Sequence, residues 1–203
     1  MNHLAHALVA HRTGTSLVGN LMGDFVKGSP REQYQGELLE GILLHRAVDA
    51  FTDSHPAFLR CRRRFRPPYR RWAGVLVDIF WDHVLAREWD RYGTGSLPEF
   101  AAGVYRELAD HPDPLPGHMA GFVEYMTRHD LLVAYASRQG IAQALGGLSR
   151  RVRRPNPLGE GILELDRIGA DVAADLDEFL PDLLRQVAAG RPDPGGEDEE
   201  ETR

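Results

Sequence analysis

The chain has 203 residues, a formal net charge of −6, a 42% apolar fraction and one cysteine. This length supports one domain with a substantial core, and the lone Cys61 excludes an internal disulfide and suits a reducing cytosol. No apolar run approaches a membrane span, and the opening Met1-Asn2-His3-Leu4-Ala5-His6 lacks the basic-then-apolar order of a signal peptide, so a cytoplasmic protein without a membrane partner is expected.

Residues 2–11 have helical spacing, with Leu4, Leu8 and His11 on one side and His6 close to that face. His6 reads either as a packing or capping residue or as a catalytic one. Gly14-Thr15-Ser16 reads as a turn and helix start. In Gly23-Asp24-Phe25-Val26-Lys27-Gly28 the glycines suggest a helix end where backbone comes close. Asp24 there is a candidate ligand or simply an acid in a Gly-rich turn, and Lys27 is a candidate for a phosphate. Ser29-Pro30-Arg31-Glu32 carries helix-start signals.

A central helix is predicted over about residues 34–52. Leu38, Ile42, His45 and Asp49 share one stripe of it, which begins apolar and turns polar. His45 and Asp49 are one turn apart and can form a buried hydrogen bond or hold one ion. Asp53 continues the spacing, and Pro56 stops the helix. Next comes the most basic segment, Phe58 to Trp72, with Arg60, Arg62, Arg63, Arg64, Arg66, Arg70 and Arg71 among aromatic residues. It reads as a docking surface for an acidic protein, with a nucleic-acid patch or a solvated helix face as the alternatives. Cys61, inside this run, is read as incidental.

The following helix, Gly74 to Ala86, is apolar on nearly every side except at Asp78, Asp82 and His83. Two acids one turn apart on a buried face repel unless a cation sits between them. Two such helices point to a shared metal site drawing on Asp24, His45, Asp49, Asp78 and Asp82. Oxygen-rich ligands with one or two imidazoles suit Mn²⁺, Mg²⁺ or Fe²⁺.

Ser96-Leu97-Pro98-Glu99 starts a helix running to about Leu108, and residues 111–117 form a proline-rich loop. Helical spacing resumes through Met119, Phe122, Val123 and Met126. Adjacent helical residues point about 100° apart, so His129-Asp130 is read as a structural His and a helix cap. A short helix covers residues 137–148, and Arg150, Arg151, Arg153 and Arg154 form a second basic loop that could join the first on one face. The last helix, about residues 163–187, places Asp171, Asp175 and Glu178 on a side read as solvated. Residues 190–203 carry six acids and two arginines and read as a disordered acidic tail behind a helical catalytic domain over residues 1–189. With no alternating stretch of strand length, the expected fold is all-α, a single domain of about seven helices.

Four blocks together carry a resemblance: Met1 to His6, Gly19-Asn20-Leu21-Met22-Gly23-Asp24-Phe25, Gly41 to Pro56, and Val77-Asp78-Ile79-Phe80-Trp81-Asp82-His83. They resemble the acyl carrier protein phosphodiesterase family, over residue 1 to roughly 190. The resemblance implies a Mn²⁺-dependent enzyme that removes 4′-phosphopantetheine from holo-acyl carrier protein, on a helical fold related to the metal-dependent phosphohydrolases named for a His-Asp motif. This chain departs from that wider pattern by its reversed Asp82-His83. In this reading His45, Asp49, Asp78, Asp82 and Asp24 would hold the ion. His83 would be a further ligand or the acid that protonates the departing serine oxygen, and Lys27 and Arg46 would neutralise the phosphate. The arginines from Arg60 to Arg71 would meet an acidic carrier protein. The rival readings are a metal-dependent phosphohydrolase of a nucleotide or other small phosphoester, and a non-catalytic basic helical module that holds nucleic acid.

Overall fold

Residues 1–189 are described by the computed structural model, and among them there are eleven α-helices, three short 3₁₀ turns and no strand. The acidic segment 190–203, expected to be disordered, lies outside the described residues. In chain order the helices are α1 (His3–Thr13), α2 (Leu17–Met22), α3 (Gly36–Ser54), α4 (Pro56–Arg63), α5 (Ala73–Arg87), α6 (Trp89–Tyr92), α7 (Leu97–Ala109), α8 (Met119–Arg128), α9 (Leu131–Ala134), α10 (Arg138–Arg151) and α11 (Ile162–Ala189). The all-α expectation holds. The helices beyond the expected number are short: α2 has six residues, α4 eight, and α6 and α9 four each. An apolar period barely repeats over such lengths.

Local chemistry explains most helix ends. Ser96 and Glu99 form a capping box ahead of α7, and the Ser137 side chain accepts from Gly140 N–H at the start of α10. Pro56 ends α3 and also begins α4, where its missing N–H is harmless. Two expected starts differ. Ser29-Pro30 opens only a 3₁₀ turn, Pro30–Glu32, with no side-chain cap, and the central helix begins at Gly36. Asp130 precedes α9 in a left-handed conformation (φ 44°) and its side chain makes no capping bond, so the turn itself, not a cap, redirects the chain.

α5 is the axis of the core. Leu76, Val77, Phe80, Trp81 and Leu85 are wholly buried, covering the helix nearly all round. α1, α4, α10 and α11 pack against it. Trp81 stacks on Phe179 of α11 at 4.5 Å between ring centroids, with Phe58 of α4 edge-on at 5.5 Å. Each such aromatic pair adds about 0.5–1.5 kcal/mol to its area burial. α2 lies across α3 at very short range. A Cβ on Gly41 would come within 2.6 Å of Asn20 N, so only glycine permits that approach. The approach brings the loop after α2, with Asp24, beside His45 of α3. No helix among the described residues is long and apolar enough to cross a membrane.

Candidate metal centre and active-site cleft

Three helices meet at one cluster. His6 on α1 and His45 on α3 stack nearly parallel, with centroids 4.0 Å apart and planes at 15°. Asp49, one turn beyond His45, lies along their edges. Its Oδ1 is 3.2 Å from His6 Nε2, and its Oδ2 is 3.2 Å from His45 Nε2. Asp24 adds a second carboxylate, Oδ1 being 3.5 Å from His45 Nε2 and Oδ2 3.9 Å from His3 Nδ1. Gly23 makes this possible. A Cβ there would fall 2.2 Å from the His45 ring, while its own backbone is plain right-handed helix (φ −52°, ψ −37°).

Not every polar atom in this cluster has a partner. Burial pushes the His6 ring down to about 4, so it is neutral and carries one ring proton. Asn20 Oδ1 lies 3.0 Å from Nδ1 and Asp49 Oδ1 3.2 Å from Nε2, while Asn20 Nδ2 has no partner. With Nδ1–H donating to Asn20 Oδ1, Nε2 is free for a cation, and such an outer partner is the usual companion of a metal-binding imidazole. At His45 burial opposes charge, yet Asp24 and Asp49 lift the ring to about 9. Its buried Nδ1 has no partner. Burial also opposes the Asp49 charge, and the two imidazole edges outweigh it, holding the carboxyl well below its ordinary value. The ammonium of Met1 sits 3.3 Å from Asp49 Oδ1 and 3.2 Å from Asp78 Oδ1, so the structure itself puts a positive group between these carboxylates. One donor atom from each of His6, His45 and Asp49 lies within 4.8 Å of the others. Two imidazoles with carboxylates fit a divalent transition-metal ion.

A cleft of about 210 Å³ opens beside the cluster. His3, Asp24, Asp78 and Arg151 line it, and Val75, Ile79 and Phe122 supply apolar surface. Burial pushes the Asp78 carboxyl up and the His3 ring down to about 4. A larger recess, about 850 Å³, lies elsewhere and contains Glu37, Glu40, Glu99 and Glu107, but none of the expected site residues. Size therefore does not select the site; the chemistry of the lining does.

The expected residues separate accordingly. His45, Asp49 and Asp24 come together, and Asp78 faces the same cleft. Asp82 goes elsewhere. It is wholly buried, and its two oxygens accept from Leu4 N–H at 2.8 Å and Ala5 N–H at 3.0 Å. This carboxylate caps the first turn of α1, whose own preceding residue Asn2 makes no side-chain cap. Burial pushes its pKa up to about 7 against those two bonds. His83 is buried too, with Nδ1 2.7 Å from the Tyr135 carbonyl oxygen, and does not line the cleft. Arg46 donates to the carbonyls of Val26 and Gly28, both at 3.0 Å, and so fastens the loop that follows Asp24. Lys27 is exposed on that loop and outside the cleft lining. Neither is aimed at a phosphate in the cleft. His6 and His3 are the imidazoles that sequence spacing alone did not assign. The signal for them was the block Met1 to His6, in which both lie on the turn that Asp82 caps.

The basic run divides in two. Arg60 and Arg64 are paired with α11. Arg60 donates to Asp175 at 2.8 Å and Glu178 at 2.6 Å, and Arg64 bonds Asp175 and lies 3.6 Å from Asp171. Asp175, expected to be solvated, is therefore buried to 1% exposure between two guanidiniums. Arg62, Arg63, Arg66, Arg70 and Arg71 remain exposed, and Arg62, Arg63 and Arg70 line a shallow recess. The second basic loop joins them, since the Arg154 guanidinium lies 4.9 Å over the Trp72 ring. Cys61 is buried and its thiol pushed up to about 12 by burial, so it is inert.

The comparisons with known proteins identify the family. The family model described as acyl carrier protein phosphodiesterase matches residues 1–183. A protein of that name from Photorhabdus laumondii is 36% identical over 92% of this chain and 95% of its own length. Proteins of the same name from Serratia proteamaculans and Yersinia pestis are each 32% identical over 92% of this chain and 97% of theirs. No solved structure matches the chain. The match runs through all of the elements that build the cluster, from His3 and His6 to Asp78, and the chain belongs to the acyl carrier protein phosphodiesterase family.

Proposed function

We propose that this protein is a metal-dependent phosphodiesterase that cleaves the 4′-phosphopantetheine–serine phosphodiester of holo-acyl carrier protein, giving apo-acyl carrier protein and 4′-phosphopantetheine. The carrying observation is the convergence of His6, His45 and Asp49, with one donor atom of each within 4.8 Å of the others, beside a cleft that Asp24 and Asp78 line. His6, His45 and Asp49 would hold the ion, with Asp24 and Asp78 as the carboxylates at its open side. The preferred ion is Mn²⁺, with Mg²⁺ or Fe²⁺ as the alternatives the donor set admits. When bound, such an ion supplies a water of lowered pKa and polarises a phosphoryl oxygen.

The chain's own groups do the rest. Asn20 holds His6 in the tautomer that leaves Nε2 free. His3, not His83, is the imidazole that lines the cleft and can pass a proton to the departing serine oxygen. Burial, which pushes that ring down to about 4, outweighs the Asp24 carboxylate 3.9 Å from its Nδ1, so the ring rests neutral and takes up the proton before passing it on. The exposed arginines on both basic segments would orient an acidic carrier protein over the cleft. Residues 1–189 form the catalytic domain in this reading, the acidic segment after them takes no part in catalysis, and the location is cytoplasmic.

The test is mass spectrometry of holo-acyl carrier protein after incubation with the protein and Mn²⁺. The expected result is loss of the prosthetic group in the presence of Mn²⁺ and its retention after exhaustive chelation. An unchanged carrier under both conditions, or full activity without any metal, overturns the reading.

A further inference from the structure

We propose that Arg151 is the residue that grips the substrate's phosphate, a role resting on the phosphodiesterase reading above. The site needs a cation for a phosphodiester, and of the two expected ones Arg46 is committed to backbone carbonyls and Lys27 lies outside the cleft lining. Arg151 is exposed in the last turn of α10, where a positive charge also suits the helix dipole. Among the described residues it has no carboxylate partner within 4 Å, in contrast to Arg60, Arg64, Arg91, Arg138 and Arg167. It shares the cleft lining with Asp24, Asp78 and His3, and its charge reaches His3 and Tyr135.

The cleft thus combines acids and imidazole, one guanidinium and apolar side chains. Val75 and Tyr125, two of the three exposed large apolar side chains among the described residues, both belong to it. That polarity matches a phosphate ester carrying a partly apolar arm. A phosphate seated between the ion-binding cluster and Arg151 presents two oxygens to the guanidinium fork, while the arm runs along Val75 and Phe122.

Calorimetric binding of 4′-phosphopantetheine, inorganic phosphate and unphosphorylated pantetheine to the Mn²⁺-loaded full chain tests the assignment without requiring turnover. Arg151→Ala should weaken 4′-phosphopantetheine about 10–100-fold, the range expected for losing hydrogen bonds to a charged group. Arg151→Lys should recover part of the loss, and Arg106→Ala, an exposed arginine of α7 outside the cleft lining, should match the parent. Pantetheine affinity and melting temperature should not change. The proposal is overturned if Arg151→Ala binds like the parent, if the parent does not bind 4′-phosphopantetheine, or if pantetheine binding falls equally. Should Arg151→Ala not fold, Arg151→Lys decides, because a lysine indistinguishable from arginine excludes the fork. If the parent binds 4′-phosphopantetheine through Arg151 but leaves holo-acyl carrier protein intact, the phosphate site stands and the phosphodiesterase reading falls.

Discussion

Two acids, the buried Asp175 and the half-buried Asp49, sit in this molecule among groups of the opposite character, and they differ in how completely they are answered. Around Asp175 every claim is met. Arg60 and Arg64 take its two oxygens, Glu178 and Asp171 pair with further guanidinium edges, and Asp175 has no buried oxygen without a partner. Around Asp49 the claims are incompletely met. Both imidazole Nε2 atoms converge on this one carboxylate, and His45 Nδ1 and Asn20 Nδ2 have no partner. A satisfied polar network is a device for holding helices together, whereas one that fails to close is a place prepared for something else. The same residue types therefore mean structure at one site and chemistry at the other.

The contrast is broken most severely at the cluster itself. His6→Ala, His45→Ala or Asp49→Ala should each reduce hydrolysis of holo-acyl carrier protein by more than the roughly 10–100-fold that follows loss of a partner behind a metal ligand. In metal-free protein the melting temperatures of His45→Ala and Asp49→Ala should fall modestly, because each removes one side of a stabilising ion pair, while the helical fold is kept. A variant that keeps full activity removes its residue from the ion site. Asp175→Ala should behave in the opposite sense. It should lose about 1–3 kcal/mol of stability by denaturant titration, less than a fully buried pair because both guanidiniums keep contact with water. Turnover per folded molecule should stay unchanged, and a catalytic defect in folded protein would show that the two clusters communicate.

Asp82→Asn probes the boundary between the two kinds of site. An amide accepts with only one of its two ends, so one of the Leu4 and Ala5 N–H groups meets an NH₂. We expect about 1–3 kcal/mol of destabilisation together with weaker metal affinity, since α1 carries His6. Loss of metal affinity without loss of stability would instead make Asp82 a ligand.

A pH titration sharpens the comparison further. The folded-state pKa of His45, about 9, lies above the ordinary 6.5. In metal-free protein its stabilising contribution is full below pH 6.5 and fades as pH rises through 9. The melting temperature of chelated parent should fall across that window, and His45→Ala should flatten the fall. An identical slope in both proteins assigns the effect to other groups.

The smallest effect belongs to the solvent-facing arginines. Reversing charge at Arg62, Arg63 and Arg66 should raise KM for holo-acyl carrier protein, change kcat little, and lose its effect as salt rises. Each exposed pair is worth only about 0.2–1 kcal/mol, and screening acts over about 8–10 Å. The same reversal at Arg60 and Arg64 should instead destabilise the fold. If Arg62, Arg63 and Arg66 also reduce hydrolysis of a small phosphodiester, they act on the site rather than on docking.

The helical periodicity of α3 and α5 was legible because an apolar stripe interrupted by His and Asp is rare on a buried face. It could not distinguish Asp78 from Asp82. The two lie one turn apart on one helix, and what separates them is the N-terminus of α1, which meets Asp82 from 77–78 residues away in sequence. Arg60 and Arg64 were unreadable for the same reason, since their partner Asp175 is more than 100 residues distant. His6 was visible only as a helical histidine near an apolar face. Its role depends on Asn20 and Asp49, from two other helices. Local spacing reports which side chains share a face, and long-range packing decides what that face meets.

Gly23 offers an experimental handle of another kind. Alanine suits its backbone angles, removes no donor atom and alters no charge, yet the added methyl occupies space now held by the His45 ring. Gly23→Ala should therefore be a quiet off switch: a folded protein with its docking surface and acids in place, and one imidazole displaced. Such a decoy would bind its substrate without consuming it, which makes it the reagent of choice for trapping and crystallising the complex.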